Sequence, residues 1–141
     1  MSQIPANLLE GWDILVVDDE DDSLEVARYI LDFYGANVLV ATSGQQALDV
    51  VKDQHPRFII SDLSMPEMDG WELMRKLQDD PATNHIPVIA LTAHAMKGDG
   101  ERALLAGFHN YLTKPLTADT FIHELVRLLM DIPVLSQHLN I

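Results

Sequence analysis

The chain contains no cysteine. That excludes disulfides, thiolate metal sites and cysteine nucleophiles, and it is compatible with a cytoplasmic protein. Long apolar runs are missing as well. The longest are Ile14–Val17, Val38–Ala41, Phe58–Ile60 and Val88–Leu91, far short of the roughly 18 residues that span a bilayer. The first residues lack a basic stretch followed by an apolar one, so no secretory signal is expected. Positive charge is scarce: 9 Lys and Arg stand against 22 Asp and Glu, for a formal net charge of −13. A chain this acidic repels phosphate backbones and anionic lipid, which argues against direct nucleic-acid or membrane partners. Most of the acid reads as a solubilising surface. Two concentrations need a separate explanation, Asp18-Asp19-Glu20-Asp21-Asp22 and the surroundings of Asp62.

What is present is an ordinary globular composition, 48% hydrophobic and 22% charged over 141 residues, one domain's worth of chain. Aliphatic runs alternate with amphipathic stretches. Strands are expected over Ile14–Val17, Asn37–Ala41, Arg57–Ser61, Pro87–Leu91 and His109–Leu112. Helices are expected over 22–34, 44–54, from Asp69 onward, 95–106 and 117–130. In the first, Ala27, Ile30, Leu31 and Tyr34 share one face and Gly35 stands where a cap belongs. Ser43 with Gln46 and Asp69 with Glu72 form capping boxes. Gly98 and Gly100 each cost roughly 1 kcal/mol against alanine, which loosens the start of the fourth helix. Pro133 stops the last one.

Five β-α units in strict alternation predict an α/β fold: a doubly wound parallel sheet with right-handed crossovers and five helices on its two faces. The divisions expected are an N-terminal extension, 1–11, a domain over 12–131 and a tail, 132–141. The apolar tail residues Ile132, Val134, Leu135, Leu139 and Ile141 read as a frayed terminus, docking being the alternative.

Ligands of such sheets bind beyond the carboxyl ends of the strands. Those positions carry Asp18 and Asp19 after the first strand, Asp62 after the third, Thr92 after the fourth, and Lys114 and Pro115 after the fifth. Singly, each is an ordinary solvated loop residue. Together they place three carboxylates, a hydroxyl and an ammonium on one rim. Crowded carboxylates repel, and a hard divalent cation relieves them. Mg²⁺ suits oxygen ligands, and no histidine pair is spaced for Zn²⁺. Lys114 suits a phosphate oxygen and Thr92 can donate to another. A carboxylate remains that can attack phosphorus and form an acyl phosphate.

The segments Ile14–Glu20, Ile59–Gly70, Val88–Ala93 and Tyr111–Pro115 resemble the motifs of the response-regulator receiver domain of two-component signalling, in order and at matching spacing over about 12–131. The resemblance implies a flavodoxin-like five-stranded sheet of order 2-1-3-4-5. It implies that Asp62 is the phospho-acceptor and Asp19 a direct Mg²⁺ ligand. Asp18 would act largely through water, and the Ser64 backbone carbonyl would be a further ligand. Thr92 would follow the phosphoryl group, Lys114 would bind it and Tyr111 would be the aromatic switch. The Lys114–Pro115 bond is expected to be cis.

The implied partners are a histidine kinase or histidine phosphotransfer protein upstream, and downstream a protein target met by the fourth helix, fifth strand and fifth helix. Eight residues after Pro133 leave no room for an output domain, so a stand-alone receiver is expected, a receiver excised from a hybrid kinase being the alternative. It would not be an enzyme beyond assisting its own phosphoryl transfer and dephosphorylation. A competing class is a small aspartate-nucleophile phosphatase built on Asp19-x-Asp21, with Lys114 as its basic residue; it leaves the Asp62 loop unexplained. A flavin-binding protein is disfavoured because five acids follow the first strand. Met65 and Met68 read as loop packing. His94 reads as a loop residue over the site, and His55, His85, His123 and His138 read as surface.

Overall fold

The computed structural model describes residues 4–93 and 97–140. Its elements are β1 (Asp13–Val17), α1 (Asp21–Phe33), β2 (Asn37–Ala41), α2 (Gly44–Gln54), β3 (Phe58–Asp62), α3 (Gly70–Asp79), β4 (Val88–Thr92), α4 (Asp99–Ala106), β5 (Asn110–Thr113), α5 (Phe121–Met130) and α6 (Pro133–Ser136). The five strands form one parallel sheet in the order β2-β1-β3-β4-β5, the flavodoxin-like arrangement.

Alternation along the strands sorts the core into two layers. Ile14, Val16, Phe58, Ile60, Ile89, Leu91 and Leu112 pack with α1 and α5. Leu15, Val17, Ile59, Val88 and Ala90 pack with α2, α3 and α4. The central strands are buried on both faces, which is why they read as unbroken aliphatic runs. Both capping boxes form: Gln46 N–H donates to Ser43 Oγ at 3.2 Å, and Glu72 N–H donates to Asp69 Oδ1 at 2.9 Å.

Several boundaries shift for local reasons. β3 and β4 run one residue past their expected ends, because Asp62 pairs with Leu91 and Thr92 with Thr113 in the ladder. Gly98, in the left-handed region at φ 88°, is the N-cap of α4. The α-helix expected over 95–106 therefore occupies 99–106, and residues 94–96 lie outside the described residues. α5 starts at Phe121 rather than 117; Thr117 Oγ1 and Thr120 Oγ1 share a hydrogen bond at 2.7 Å in the turn before it.

Among the described residues there are six helices, not the expected five. Pro133 ends α5 and then supplies the first turn of α6, a position where its missing N–H is no loss. The tail, expected to fray, is docked through Asn140. Its amide N–H donates to the Leu8 carbonyl at 3.3 Å, and its side chain donates to the Asn7 carbonyl at 2.8 Å. Leu8, Leu9, Ile132 and Leu135 belong to the same core layer as α1 and α5.

Candidate functional site

The carboxyl ends of the strands place the polar side chains. Asp18 continues β1 by one residue, its N–H donating to the Ala41 carbonyl at 3.1 Å. Its side chain is completely buried, and Oδ1 accepts the Glu20 N–H at 2.9 Å. Asp62 ends β3; Oδ1 accepts the Ser64 N–H at 3.2 Å. The loop after it folds back tightly, with Gly70 N–H donating to the Leu63 carbonyl at 3.0 Å. A Cβ at Gly70 would lie 2.1 Å from the Asp62 carbonyl oxygen, so only glycine lets α3 start there. Met65, within this loop, is buried in the core layer of α2, α3 and α4, and Met68 packs against Gly44.

Lys114 follows β5, its N–H donating to the Thr92 carbonyl at 2.8 Å, and its bond to Pro115 is cis. The ammonium donates to Asp62 Oδ2 at 3.1 Å, to Asp18 Oδ1 at 3.3 Å and to Glu20 Oε1. An ammonium has three protons, and all three are then used. Asp18 Oδ2 lies 3.1 Å from the same nitrogen as an ion-pair contact, yet has no hydrogen-bond partner among the described residues.

This crowding sets the ionisation. Burial pushes the Asp18 carboxyl up from 3.8 to about 6, and the charge of Asp62 adds to the shift. The Glu20 amide and Lys114 oppose it. Burial alone would pull Lys114 down, but hydrogen bonds to Glu20 and Asp62 and the charges of Asp62 and Asp18 raise it above its ordinary value. Glu20 is held below the usual carboxylate range by its hydrogen bond to Lys114.

Carboxylate oxygens of Asp18, Glu20 and Asp62 lie within 4.8 Å of one another. A buried carboxylate oxygen with no hydrogen-bond partner among the described residues, beside two more carboxylates, fits a hard cation with a preference for oxygen, and Mg²⁺ is of that class. The exposed Asp19 is outside this compact group. It lines, with Glu20, Asp62, Ser64, Ala93 and Lys114, an open cavity of about 330 Å³.

The structure thus brings Asp18, Asp62 and Lys114 into contact and sets Asp19 and Ser64 around the same cavity. Thr92 is buried at the end of β4, its hydroxyl donating to Asp99 Oδ2 at 3.4 Å. Tyr111 is half-buried on β5, with its ring over Gly100. Glu20 is the partner of Lys114 that sequence reasoning did not single out; its only sign was membership of the acidic run. Asp99 carried no sign, since it becomes a first-turn acid only where α4 starts in the structure. His94 lies outside the described residues, while His55, His85, His123 and His138 are exposed.

The family model for the response regulator receiver domain matches residues 14–126. The chain belongs to that family. It is 43% identical over 123 residues to an uncharacterized 14.6 kDa protein of Leptolyngbya boryana, covering 87% of this chain and 91% of that one. It is 36% identical over 118 residues to the polar-differentiation response regulator DivK of Brucella ovis, covering 84% and 96%. Among solved structures it is similar to the receiver domain of a Pseudomonas aeruginosa sensor histidine kinase, with a TM-score of 0.74 and 32% identity over 83% of this chain and 96% of that one. That domain was solved with a magnesium ion coordinated in its active site cleft. A receiver domain of two-component signalling is a signalling module, and no helix among the described residues is long and apolar enough to cross a membrane.

Proposed function

We propose that Asp62 accepts a phosphoryl group from the phosphohistidine of a histidine kinase or histidine phosphotransfer protein in the cytoplasm. An Asp62 carboxylate oxygen forms the new O–P bond as the N–P bond breaks, and the imidazole leaves with that electron pair. The Ser64 amide orients the carboxylate. The Lys114 ammonium, already 3.1 Å from Asp62 Oδ2, exchanges its Asp62 and Glu20 contacts for a phosphoryl oxygen. Asp18, Asp19, Asp62 and the Ser64 carbonyl would hold Mg²⁺, which when bound neutralises charge on the transferring oxygens.

The observation that carries this reading is the buried pair Asp18–Asp62 bridged by Lys114, with one Asp18 oxygen lacking a hydrogen bond among the described residues. Such a group is poised for a cation and an anion to enter together. The Thr92 hydroxyl then donates to the phosphoryl group, Tyr111 turns inward, and the surface of α4, β5 and α5 changes for a downstream protein. The same groups assist hydrolysis of the acyl phosphate, and no other substrate is turned over.

Incubation with a small phosphodonor and Mg²⁺ tests this. The expected result is one acid-labile phosphoryl group per chain, lost in Asp62→Asn. Full incorporation into Asp62→Asn would refute the acceptor, and continuous release of phosphate from varied esters would favour a phosphatase.

A further inference from the structure

The first turn of α4 touches both switch residues. On one side the Thr92 hydroxyl donates to Asp99 Oδ2 at 3.4 Å. The other Asp99 oxygen accepts from Arg102 Nη1 at 3.2 Å, and the Asp99 side chain is only 17% exposed. The Arg102 guanidinium lies 4.7 Å from the centre of the Trp71 ring on α3, and Trp71 stands edge-on to Phe108. On the other side Gly100 is the seat of Tyr111, since a Cβ there would lie 2.5 Å from Tyr111 Cζ. The glycine that weakens this helix in isolation makes room for the aromatic ring.

A threonine hydroxyl has one proton to donate. It cannot serve Asp99 and a phosphoryl oxygen together. The resting contact to Asp99 is at the long end for a hydrogen bond, and a phosphoryl oxygen is the stronger acceptor. The charge that arrives on Asp62 also repels the Asp99 carboxylate.

We propose that Asp99 is a positioning residue that holds Thr92 in its resting arrangement, and that its release carries switching into α4. The proposal rests on Asp62 being the phospho-acceptor. When Thr92 turns to the phosphoryl group, Asp99 keeps Arg102 but loses its tie to β4. The first turn of α4, hinged on Gly98, is then able to shift, and Gly100 moves the seat of Tyr111 with it. Thr92 and Tyr111 are thereby coupled through adjacent residues of one helical turn.

A first-turn acid can also act only through the helix dipole, and a double-mutant cycle separates the two roles. The phosphoryl mimic beryllofluoride is titrated, with Mg²⁺, into wild type, Asp99→Ala, Thr92→Ala and the double variant. Asp99→Ala should bind about two- to tenfold tighter than wild type, and that gain should vanish in the Thr92→Ala background. Before any mimic is added, the Thr92 and Tyr111 amide resonances of Asp99→Ala should already move toward their wild-type bound positions. Asp99→Asn preserves the side-chain shape and should give a smaller change in the same direction. No gain, or an equal gain in both backgrounds, overturns the proposal. If wild type binds the mimic no better than Asp62→Ala, the acceptor reading fails. The resting resonances then still decide the Asp99 contact, and unmoved Thr92 signals overturn it.

Discussion

Leu8, Leu9, Trp12, Ile132 and Leu135 form an apolar buried group at the amino ends of the strands, whereas the carboxyl ends bury the polar group Asp18, Asp62 and Thr92. The first set removes apolar surface from water and stabilises the fold. The second set buries charge and hydroxyl groups, which costs stability unless a partner compensates. One lysine compensates two buried carboxylates incompletely. The contrast teaches that this domain concentrates stability at one end of its sheet and spends it at the other, where a ligand is to complete the compensation.

Leu135→Ala should separate the two ends most forcefully. It truncates a side chain that is 1% exposed, so stability should fall on the order of 3 kcal/mol in denaturant unfolding. Phosphoryl incorporation at Asp62, measured well below the unfolding transition, should stay at the wild-type level. Incorporation falling in step with stability would show that the ends are not separable.

Asp18→Asn should move stability the other way. Without metal the variant should be more stable than wild type by about 1–2 kcal/mol at neutral pH, because a buried, crowded charge is removed. The sign follows from the raised carboxyl. The folded state keeps a proton that the unfolded chain has released, so the contribution is complete below 3.8 and is lost as pH rises through about 6. Wild-type stability should carry that decline and Asp18→Asn should not. Mg²⁺ affinity should increase over the same window in wild type, since the ion replaces the proton, and calorimetric titration at several pH values reads it. A flat profile would mean that Asp18 does not face the cation.

The smallest effect lies at the carboxyl end of β2, outside the buried polar group. Ser43→Ala removes the cap of α2 and should cost about 1 kcal/mol, with Mg²⁺ binding unchanged by the same titration.

Much of this was legible before any coordinates. Aliphatic runs mark β1, β3 and β4 because both faces of these central strands are covered, and Ser43 and Asp69 mark helix starts because their side chains meet specific amides. The rim of Asp18, Asp62, Thr92 and Lys114 follows from parallel topology, which brings residues distant in sequence to one edge. Contacts that depend on side-chain reach were not legible. Glu20 looks like one more solvated acid until Lys114 is placed over it, and Gly100 looks like a defect until Tyr111 occupies the space it leaves. The docked tail was hidden because its partners, Asn7 and Leu8, lie at the opposite end of the chain.

Hydrogen exchange across the chain, with and without beryllofluoride and Mg²⁺, tests the separation of the two ends most directly. Changed exchange is predicted at 62–70, at Thr92 and over 97–113, with 4–12 and 132–140 unaltered. Changes concentrated in 4–12 and 132–140, or none at 62–70, would contradict it.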